Sequence, residues 1–237
     1  LVRANKALYD YCTVFSMPLI SGKDSMKNDF YDGTTKISIP PTLLFSVIGK
    51  MEDARLAVTM DVKRPGDAVY LLGTTANELG GSEYLAQKGF IGNNVPKVDA
   101  QAALSTYRAY GNALNAGLVA SCHDLSDGGL AVAAAESAFA GGFGISIDLG
   151  KVAYRGDAAG RSDAVLLFSE SASRLLVTVR ADKAVAFEEA MSGTVFARIG
   201  EVTDEGRLSV QGSGGNEVVN AGLGELKTAW QTPLKDL

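Results

Sequence analysis

The chain has 237 residues, which suits one large domain or two small ones, and its apolar fraction of 46% permits a sizeable core. The formal net charge is −5, and charges of both signs are interspersed along the chain. No basic block is therefore present to neutralise a nucleic-acid backbone. This composition is still compatible with a local basic pocket for one nucleotide. No signal peptide is visible and no apolar run approaches the roughly 20 residues of a membrane span, so we expect a cytoplasmic chain without nucleic-acid or membrane partners.

Residues 1–53 form the first predicted unit. Apolar residues at helical spacing predict an opening helix with one buried stripe, which Pro18 ends. A short strand is predicted at residues 19–20, a polar loop at 21–33 and a buried strand at 42–49. Because the chain opens without Met, directly in this helical pattern, we interpret it as a piece of a longer protein.

The rest of the chain alternates between strand and helix patterns. We predict strands at residues 55–60, 68–72, 118–122, 143–149, 175–179, 195–202 and 208–211. Helices are predicted at residues 77–88, from a cap at Asp99 to Asn115, at 129–140 and at 182–191. This alternation indicates an α/β or α+β fold in which helices pack on a sheet.

The two cysteines, Cys12 and Cys122, lie in apolar stretches and are expected to be buried free thiols. No Cys/His cluster has the spacing of a zinc site. His123 is the only histidine, and a lone histidine beside a strand is more often a hydrogen-bonded structural residue than a catalyst.

A first candidate ligand loop follows residues 19–20. Gly22 permits close backbone approach to an anion, Lys23 supplies a charge for phosphate, and Asp24 can hold Mg²⁺. The hydroxyl of Ser25 can bond to phosphate or sugar oxygens. The spacing is not that of a Walker loop, and an ordinary polar loop is the alternative.

A second candidate loop, HDLSDGGL, joins a strand to a helix. A helix start suits phosphate, and Asp124 stands at the strand end, where a carboxylate can take a metal ion bridging that phosphate. Ser126 and Asp127 could instead cap the helix. Gly128 and Gly129 weaken the capping alternative, because two glycines in a first turn cost about 1 kcal/mol each against alanine.

Two further stretches are ambiguous. Residues 169–171 (SES), followed by Arg174, read more readily as a solvated turn between two strands than as a ligand site. Residues 79–84 (LGGSEY) either face a ligand or allow tight packing at a helix entry.

The motif HDLSDGGLAVAAAE resembles the signature of the superfamily of aminoimidazole ribonucleotide synthetase, selenophosphate synthetase, thiamine-monophosphate kinase and formylglycinamide ribonucleotide amidotransferase. Four more strings resemble the second half of the amidotransferase synthetase part: PLISGKDSMKND, KISIPPTLLFSVIGKM, LGGSEYL and LFSESASRLLVTV. GKDSM together with HDLSDGGL is the most specific sign, because the sibling enzymes lack the former string.

The resemblance implies an architecture. Residues 1–53 would be the tail of an N-terminal-type synthetase domain, and residues 54–237 a complete C-terminal-type domain with a mixed sheet and packed helices. The family's catalytic histidine belongs to the other half, so no residue is assigned a catalytic role and the piece alone is expected to be inactive. An apolar face on residues 1–49 is expected to be exposed, which would allow a homodimer.

The resemblance also implies residue roles. Lys23 falls where smaller relatives carry a magnesium-binding Asn. In long-form members, the positions of Asp124 and Ser126 serve an auxiliary nucleotide site. The assigned site residues are Gly22, Lys23, Ser126, Gly128 and Gly129 for nucleotide, Ser25, Glu170 and Ser171 for substrate, and Asp124 and Asp24 for metal.

The implied activity is a step of purine biosynthesis with ATP and Mg²⁺. ATP would phosphorylate the formyl amide oxygen of formylglycinamide ribonucleotide, and glutamine-derived ammonia would attack the iminophosphate. The implied partners are the remainder of the synthetase and a glutaminase domain or subunit. The alternatives are another synthetase or kinase of the superfamily and a non-catalytic module that holds ADP.

Overall fold

The computed structural model describes residues 1–23, 28–40 and 42–234. The chain divides into two units, Leu1–Arg55 and Leu56–Leu237. The predicted boundary between residues 53 and 54 separates an N-terminal-type from a C-terminal-type synthetase domain. That domain assignment stays a prediction. Among the described residues, no helix combines the length and apolarity needed to cross a bilayer.

The first unit contains helix α1 (Val2–Phe15) and a two-stranded antiparallel hairpin of β1 (Phe30–Tyr31) and β2 (Lys36–Ile37). The predicted helix is confirmed, but none of its residues is fully buried. The strands predicted at residues 19–20 and 42–49 are wrong for the described residues, which form no strand and are exposed. An apolar run becomes a strand only where a second strand pairs with its backbone. No described residue of this unit pairs in this way with residues 19–20 or 42–49.

Large apolar side chains of this unit are exposed, as predicted. Leu44 is 90% exposed and Ile48 87%, and other examples are Val2, Tyr9, Ile20 and Val47. Surface of this kind can mark an interaction site. Self-association through it stays a prediction.

The second unit contains most of the regular structure. Its elements are β3 (Ala68–Leu72), β4 (Thr75–Ala76), α2 (Glu83–Gln87), α3 (Ala100–Asn115), β5 (Ser121–Asp124), α4 (Gly129–Gly141), β6 (Gly144–Asp148), β7 (Tyr154–Arg155), α5 (Asp163–Phe168), β8 (Leu175–Val179), α6 (Ala184–Ala190), β9 (Phe196–Thr203), β10 (Arg207–Gln211), β11 (Glu217–Gly222) and α7 (Leu223–Gln231).

Seven strands form one mixed sheet in the order β11-β10-β6-β9-β3-β8-β5. β10 and β6 are parallel, and every other neighbouring pair is antiparallel. β5 therefore lies at one edge of the sheet, and β8 is its one partner strand in the part of the chain that the structure describes. This mixed sheet with packed helices confirms the predicted α+β fold class.

The central strand β3 shows why the sheet has two covered faces. All five of its residues are buried. Val69 and Leu71 join a cluster with α4 and α5, whereas Tyr70 and Leu72 join a second cluster with α3 and α6. Because side chains alternate along a strand, one apolar run supplies both cores.

Helix α4 follows the HDLSDGGL loop and packs into the core of the sheet. Its sequence is rich in Ala and Gly, so other elements approach its backbone closely. A Cβ on Gly141 would lie 2.2 Å from the carbonyl oxygen of Val62. Gly142 ends the helix in the left-handed conformation.

Several predicted bounds need correction. Helix α2 spans only Glu83–Gln87 of the predicted 77–88, because Gly81 has φ +75° and Ser82 caps the helix at the Leu85 amide. The strand predicted at 55–60 is wrong: Ala54–Leu56 forms a 3-10 turn, and Thr59 accepts one backbone bond from Cys122 without a ladder. Helices α5 and α7 and strand β11 were not predicted.

Asp67, immediately before β3, gives the fold a pH dependence. It is 1% exposed, its Oδ2 has no hydrogen-bond partner among the described residues, and the nearest cation is Arg64 at 3.9 Å from Oδ1. Burial raises the pKa of the Asp67 carboxyl, and Arg64 and Arg180 oppose that shift only in part. The folded state therefore holds this proton more tightly than the unfolded state does.

We expect Asp67→Asn to raise the free energy of unfolding near pH 7. Stability contributed by a carboxyl with a raised folded pKa is fully present below the unfolded pKa of about 3.9 and is lost as pH rises through the folded pKa. The gain over wild type should accordingly grow above pH 4. Urea unfolding of both proteins from pH 4 to pH 8 measures it, and a constant difference between them would contradict the assignment.

Candidate functional site

The candidate site is built around Asp124, the last residue of the edge strand β5. Its backbone pairs with Leu175 of β8, and the next amide, that of Leu125, bonds to the carbonyl of Arg174. The pairing fixes the point where the strand stops, while the side chain of Asp124 stays 68% exposed. The carboxylate therefore faces solvent and not packed hydrocarbon.

Two neighbours hold the Asp124 carboxylate. The hydroxyl of Ser126 donates to Oδ2, and His123 Nδ1 lies 3.2 Å from Oδ1. The hydrogen bond from Ser126, followed by His123, lowers the pKa of the Asp124 carboxyl despite partial burial. The carboxylate is ionised at neutral pH, which is the form that binds a metal ion.

His123 continues the contacts inward. Its Nε2 lies 2.8 Å from Oε2 of Glu136 on α4, and Oε1 of Glu136 accepts a hydrogen bond of 2.8 Å from Nε1 of Trp230 on α7. His123 therefore has hydrogen-bond partners, as predicted, and its structural role stays a prediction. The described residues place no nucleophile in contact with it, so nothing here resembles a catalytic triad.

Gly128 and Gly129, at the start of α4, have backbone conformations that were not predicted from the sequence. Both have positive φ, 78° and 62°. A Cβ on Gly129 would lie 2.4 Å from the carbonyl oxygen of Ser169, so glycine is required by a close approach within the chain. The Gly129 amide bonds to the carbonyl of Ser126. Phosphate binding by these amides stays a prediction.

Glu170 occupies the start of α4. Its Oε1 accepts hydrogen bonds from the amides of Gly128, at 2.9 Å, and of Glu83, at 3.2 Å. A carboxylate thus takes the place that the sequence suggested for a phosphate, and a ligand phosphate at Gly128 would have to displace it. The predicted contact of Glu170 with substrate stays a prediction.

The serines beside Glu170 are buried, so the interpretation of residues 169–171 as a solvated turn is wrong. Ser171 accepts from the amide of Ala76, and the hydroxyl of Ser169 donates to the carbonyl of Ala76. The stretch joins helix α5 to β8, not two strands. These bonds give both serines a structural role, and a substrate contact of Ser171 stays a prediction.

Arg174 organises this buried stretch. It is 1% exposed and donates from Nε to the carbonyl of Ser171, from Nη1 to Thr75 Oγ1, and from Nη2 to the carbonyl of Ser169. Burial lowers the pKa of Arg174 to about 10, while Glu78 and Glu170 oppose that shift. Arg174 therefore stays charged at neutral pH.

The first candidate loop belongs to the other unit. Gly22 and Lys23 are exposed, and a Cβ on Gly22 would meet no atom within 4 Å, so no described residue explains that glycine by packing. Asp24 and Ser25, predicted to bind metal and substrate, lie outside the described residues. The nucleotide role of Gly22 and Lys23 stays a prediction.

The residues around Asp124 fit an Mg²⁺ ion that is held partly by the protein and partly by a nucleotide. Within residues 1–23, 28–40 and 42–234, no three His, Cys, Asp or Glu side chains are grouped to hold a metal ion. Mg²⁺ is often bound through one or two carboxylates together with the phosphates of a nucleotide. The exposed, ionised Asp124 suits that mode and not an all-protein metal cage.

Sequence reasoning missed Glu136 and Trp230. A signal for Glu136 was present, since it is the only charged residue in the small-residue helix α4. Trp230 is the only tryptophan, but it lies on α7, which was not predicted.

This chain is similar to the members of one protein family. The model of the family "AIR synthase related protein, C-terminal domain" matches residues 64–213, more than half of the chain. Phosphoribosylformylglycinamidine synthase subunit PurL of Deinococcus radiodurans is 31% identical over 100% of this chain and 32% of its own length. The same subunit of Alkaliphilus metalliredigens is 36% identical over 97% of this chain and 30% of its own length. The chain thus spans about a third of these curated relatives.

Solved structures share the fold. Thermotoga maritima PurL complexed with FGAR aligns with a TM-score of 0.63 at 24% identity, covering 73% of this chain and 30% of that one. The T. maritima PurL complexed with ATP aligns with a TM-score of 0.60 at 23% identity, covering 73% and 27%. The family match, which covers six of the seven strands of the sheet, α4 and Asp124, shows that the chain belongs to the AIR synthase related protein family and that residues 64–213 are its C-terminal domain.

Proposed function

We propose that this chain is part of a phosphoribosylformylglycinamidine synthase, and that its Asp124 loop binds a magnesium-bound adenine nucleotide. The observation that carries the proposal is the match of the whole chain, at 31% identity, to a curated PurL subunit. The placement of an exposed carboxylate at the end of β5 supports the nucleotide site.

The proposed reaction is an ATP-dependent C–N bond formation. The glycinamide oxygen of formylglycinamide ribonucleotide attacks the γ-phosphorus of ATP and ADP leaves; ammonia then attacks the carbon of the resulting iminophosphate, and phosphate leaves as the amidine forms. The chain's own contribution at this site is to hold charge in place: Ser126 and His123 fix both oxygens of Asp124. Mg²⁺ bound there would offset negative charge on the phosphates.

The ammonia is proposed to come from glutamine, supplied by a glutaminase partner, and the rest of the synthetase is proposed to complete the active site. T. maritima PurL has been solved with FGAR and with ATP, which supports these two compounds as substrates for the family member proposed here. Both cysteines are free, which suits the reducing cytoplasm.

The nucleotide assignment predicts a loss of affinity in Asp124→Asn. The substitution keeps the shape of the side chain but removes the charge that attracts Mg²⁺, so we expect the affinity for Mg²⁺ and ADP together to fall about tenfold or more. Isothermal titration calorimetry of the full chain measures it. Asp127→Asn removes one charge from the same exposed loop and should bind as wild type does; equal affinities of the Asp124 variant and wild type would contradict the site.

A non-catalytic role is the second candidate. It is favoured by the contact between Glu170 and the Gly128 amide, because a carboxylate already holds the start of α4. T. maritima PurL has also been solved with ADP. Tight binding of Mg²⁺ and ADP without ATP turnover, in the presence of the glutaminase and the rest of the synthetase, would establish this role.

A further inference from the structure

We propose that Glu136 is a positioning residue that couples the Asp124 site to the C-terminal helix α7, with Trp230 as the end of the coupling. The contacts run through four side chains, Asp124, His123, Glu136 and Trp230, which we call the relay. The ligand that drives the relay is the nucleotide of the proposed function, whereas the hydrogen-bond chain can be tested without any ligand.

His123 is the branch point of the relay, because each of its ring nitrogens faces a carboxylate. Nε2 lies 2.8 Å from Glu136, and Nδ1 lies 3.2 Å from Asp124. A neutral imidazole has one N–H and can donate to only one of the two. The imidazole therefore exchanges between two tautomers, one that donates from Nε2 to Glu136 and one that donates from Nδ1 to Asp124. The shorter contact, to the less exposed Glu136 (21% against 68%), favours the first tautomer.

Glu136 uses its second oxygen for Trp230. Its Oε1 accepts the indole N–H at 2.8 Å, so one carboxylate serves both His123 and the last turns of α7. Changes in how strongly His123 bonds to Oε2 alter the charge available to Trp230 at Oε1. The indole ring also lies near Phe139, one turn along α4, with ring centroids 5.8 Å apart.

Helix α7 is anchored at its start and exposed at its end. Leu223 and Leu226 pack against the core cluster of the sheet, and the Gly222 amide bonds to Glu225. Trp230 is 57% exposed. The bond to Glu136 and the ring contact with Phe139 hold Trp230 at the exposed end of α7, where a change at the site can be transmitted.

The direction of the effect follows from charge. When a cation takes up the charge of Asp124, the attraction between Asp124 and the Nδ1 side of His123 falls, and the bond from Nε2 to Glu136 becomes the dominant bond of the ring. Glu136 then has less charge to offer Trp230, and the indole bond weakens. Asp124→Asn reproduces this electrostatic change without a ligand.

The test uses the single tryptophan, since the ¹H–¹⁵N correlation spectrum of the full chain contains one indole cross-peak. Glu136→Ala breaks the indole bond and gives the reference position for an unbonded indole. We expect Asp124→Asn to move the cross-peak part of the way toward that reference. The matched control Asp127→Asn should leave it in place, because Asp127 is not part of the relay.

A ligand arm uses Mg²⁺ with ADP. Their addition should move the wild-type cross-peak in the same direction and should not move it in His123→Ala, which interrupts the relay without touching Trp230. Affinity by calorimetry should fall about tenfold in Glu136→Ala and recover in Glu136→Gln, whose amide can accept from Trp230 and donate to His123.

Each outcome is decisive. An indole cross-peak that stays in place in Asp124→Asn overturns the relay, whether or not nucleotide binds. Binding of Mg²⁺ and ADP by calorimetry without movement of the wild-type cross-peak also overturns it and leaves the proposed function standing. Movement in Asp124→Asn without any nucleotide binding supports the relay and overturns the proposed function.

Discussion

Replacing Arg174 by alanine is expected to lower the free energy of unfolding by about 3 to 5 kcal/mol. The guanidinium is 1% exposed and supplies three hydrogen bonds, to the carbonyls of Ser169 and Ser171 and to Thr75 Oγ1. Its removal leaves these acceptors buried without a donor. It also removes the positive charge that Glu78 and Glu170 face. Large losses are typical when one partner of a buried charged network is deleted.

Urea unfolding followed by Trp230 emission measures the loss, since Trp230 lies in the same unit as Arg174. Arg180→Ala is the matched control. Arg180 forms an exposed ion pair with Asp182, so its removal should cost at most about 1 kcal/mol. Arg174→Lys should fall between the two, because an ammonium group keeps the charge but not the planar fork of donors. A loss in Arg174→Ala no larger than in the control would contradict this account.

Gly129→Ala is expected to destabilise the chain by about 3 kcal/mol. A left-handed backbone costs a non-glycine residue about 1 to 2 kcal/mol, and Gly129 has φ 62°. A close packing contact adds about 1 to 3 kcal/mol, and the new Cβ would lie 2.4 Å from the carbonyl oxygen of Ser169 and 2.9 Å from that of Leu167.

Gly142→Ala separates these two contributions. Gly142 has φ 75°, but a Cβ there meets no atom of the described residues within 4 Å, so only the backbone cost of about 1 to 2 kcal/mol applies. Thermal and urea unfolding of the two variants gives the comparison. Equal losses would show that the approach of the 167–169 backbone to Gly129 is not close in solution.

Local pattern was sufficient for the elements that carry their own signal. The run Ala68–Leu72, bounded by a turn and a glycine, predicted the central strand, and the Asp99 cap predicted the start of α3. Long-range pairing decided the rest. β5 begins at Ser121 and not at residue 118 because its register against β8 pairs Ser121 with Thr178 and Asp124 with Leu175. Apolar residues 42–49 lacked such a partner among the described residues and form no strand.

Part of the candidate site could likewise be predicted from local sequence, and part depends on contacts between distant residues. Asp124 at a strand end could be recognised from sequence, because a strand followed by a glycine-rich helix start is a local feature. The partners of that loop could not. Glu170 is 42 residues from Gly128, and Trp230 is 94 residues from Glu136, so only the folded chain brings them together. The glycines were noticed, but the close approach that requires Gly129 comes from the backbone of residues 167–169, which no local pattern shows.

The most direct measurement is a crystal of the chain grown with Mn²⁺ and ADP, with the metal located by its anomalous scattering. Mn²⁺ prefers the oxygen ligands that Mg²⁺ also uses. The account predicts a metal peak at coordination distance, about 2.0 to 2.5 Å, from the carboxylate of Asp124, bridged to the phosphates of ADP. Bound ADP with its metal elsewhere, and Asp124 bonded only to Ser126 and His123, would contradict the central claim.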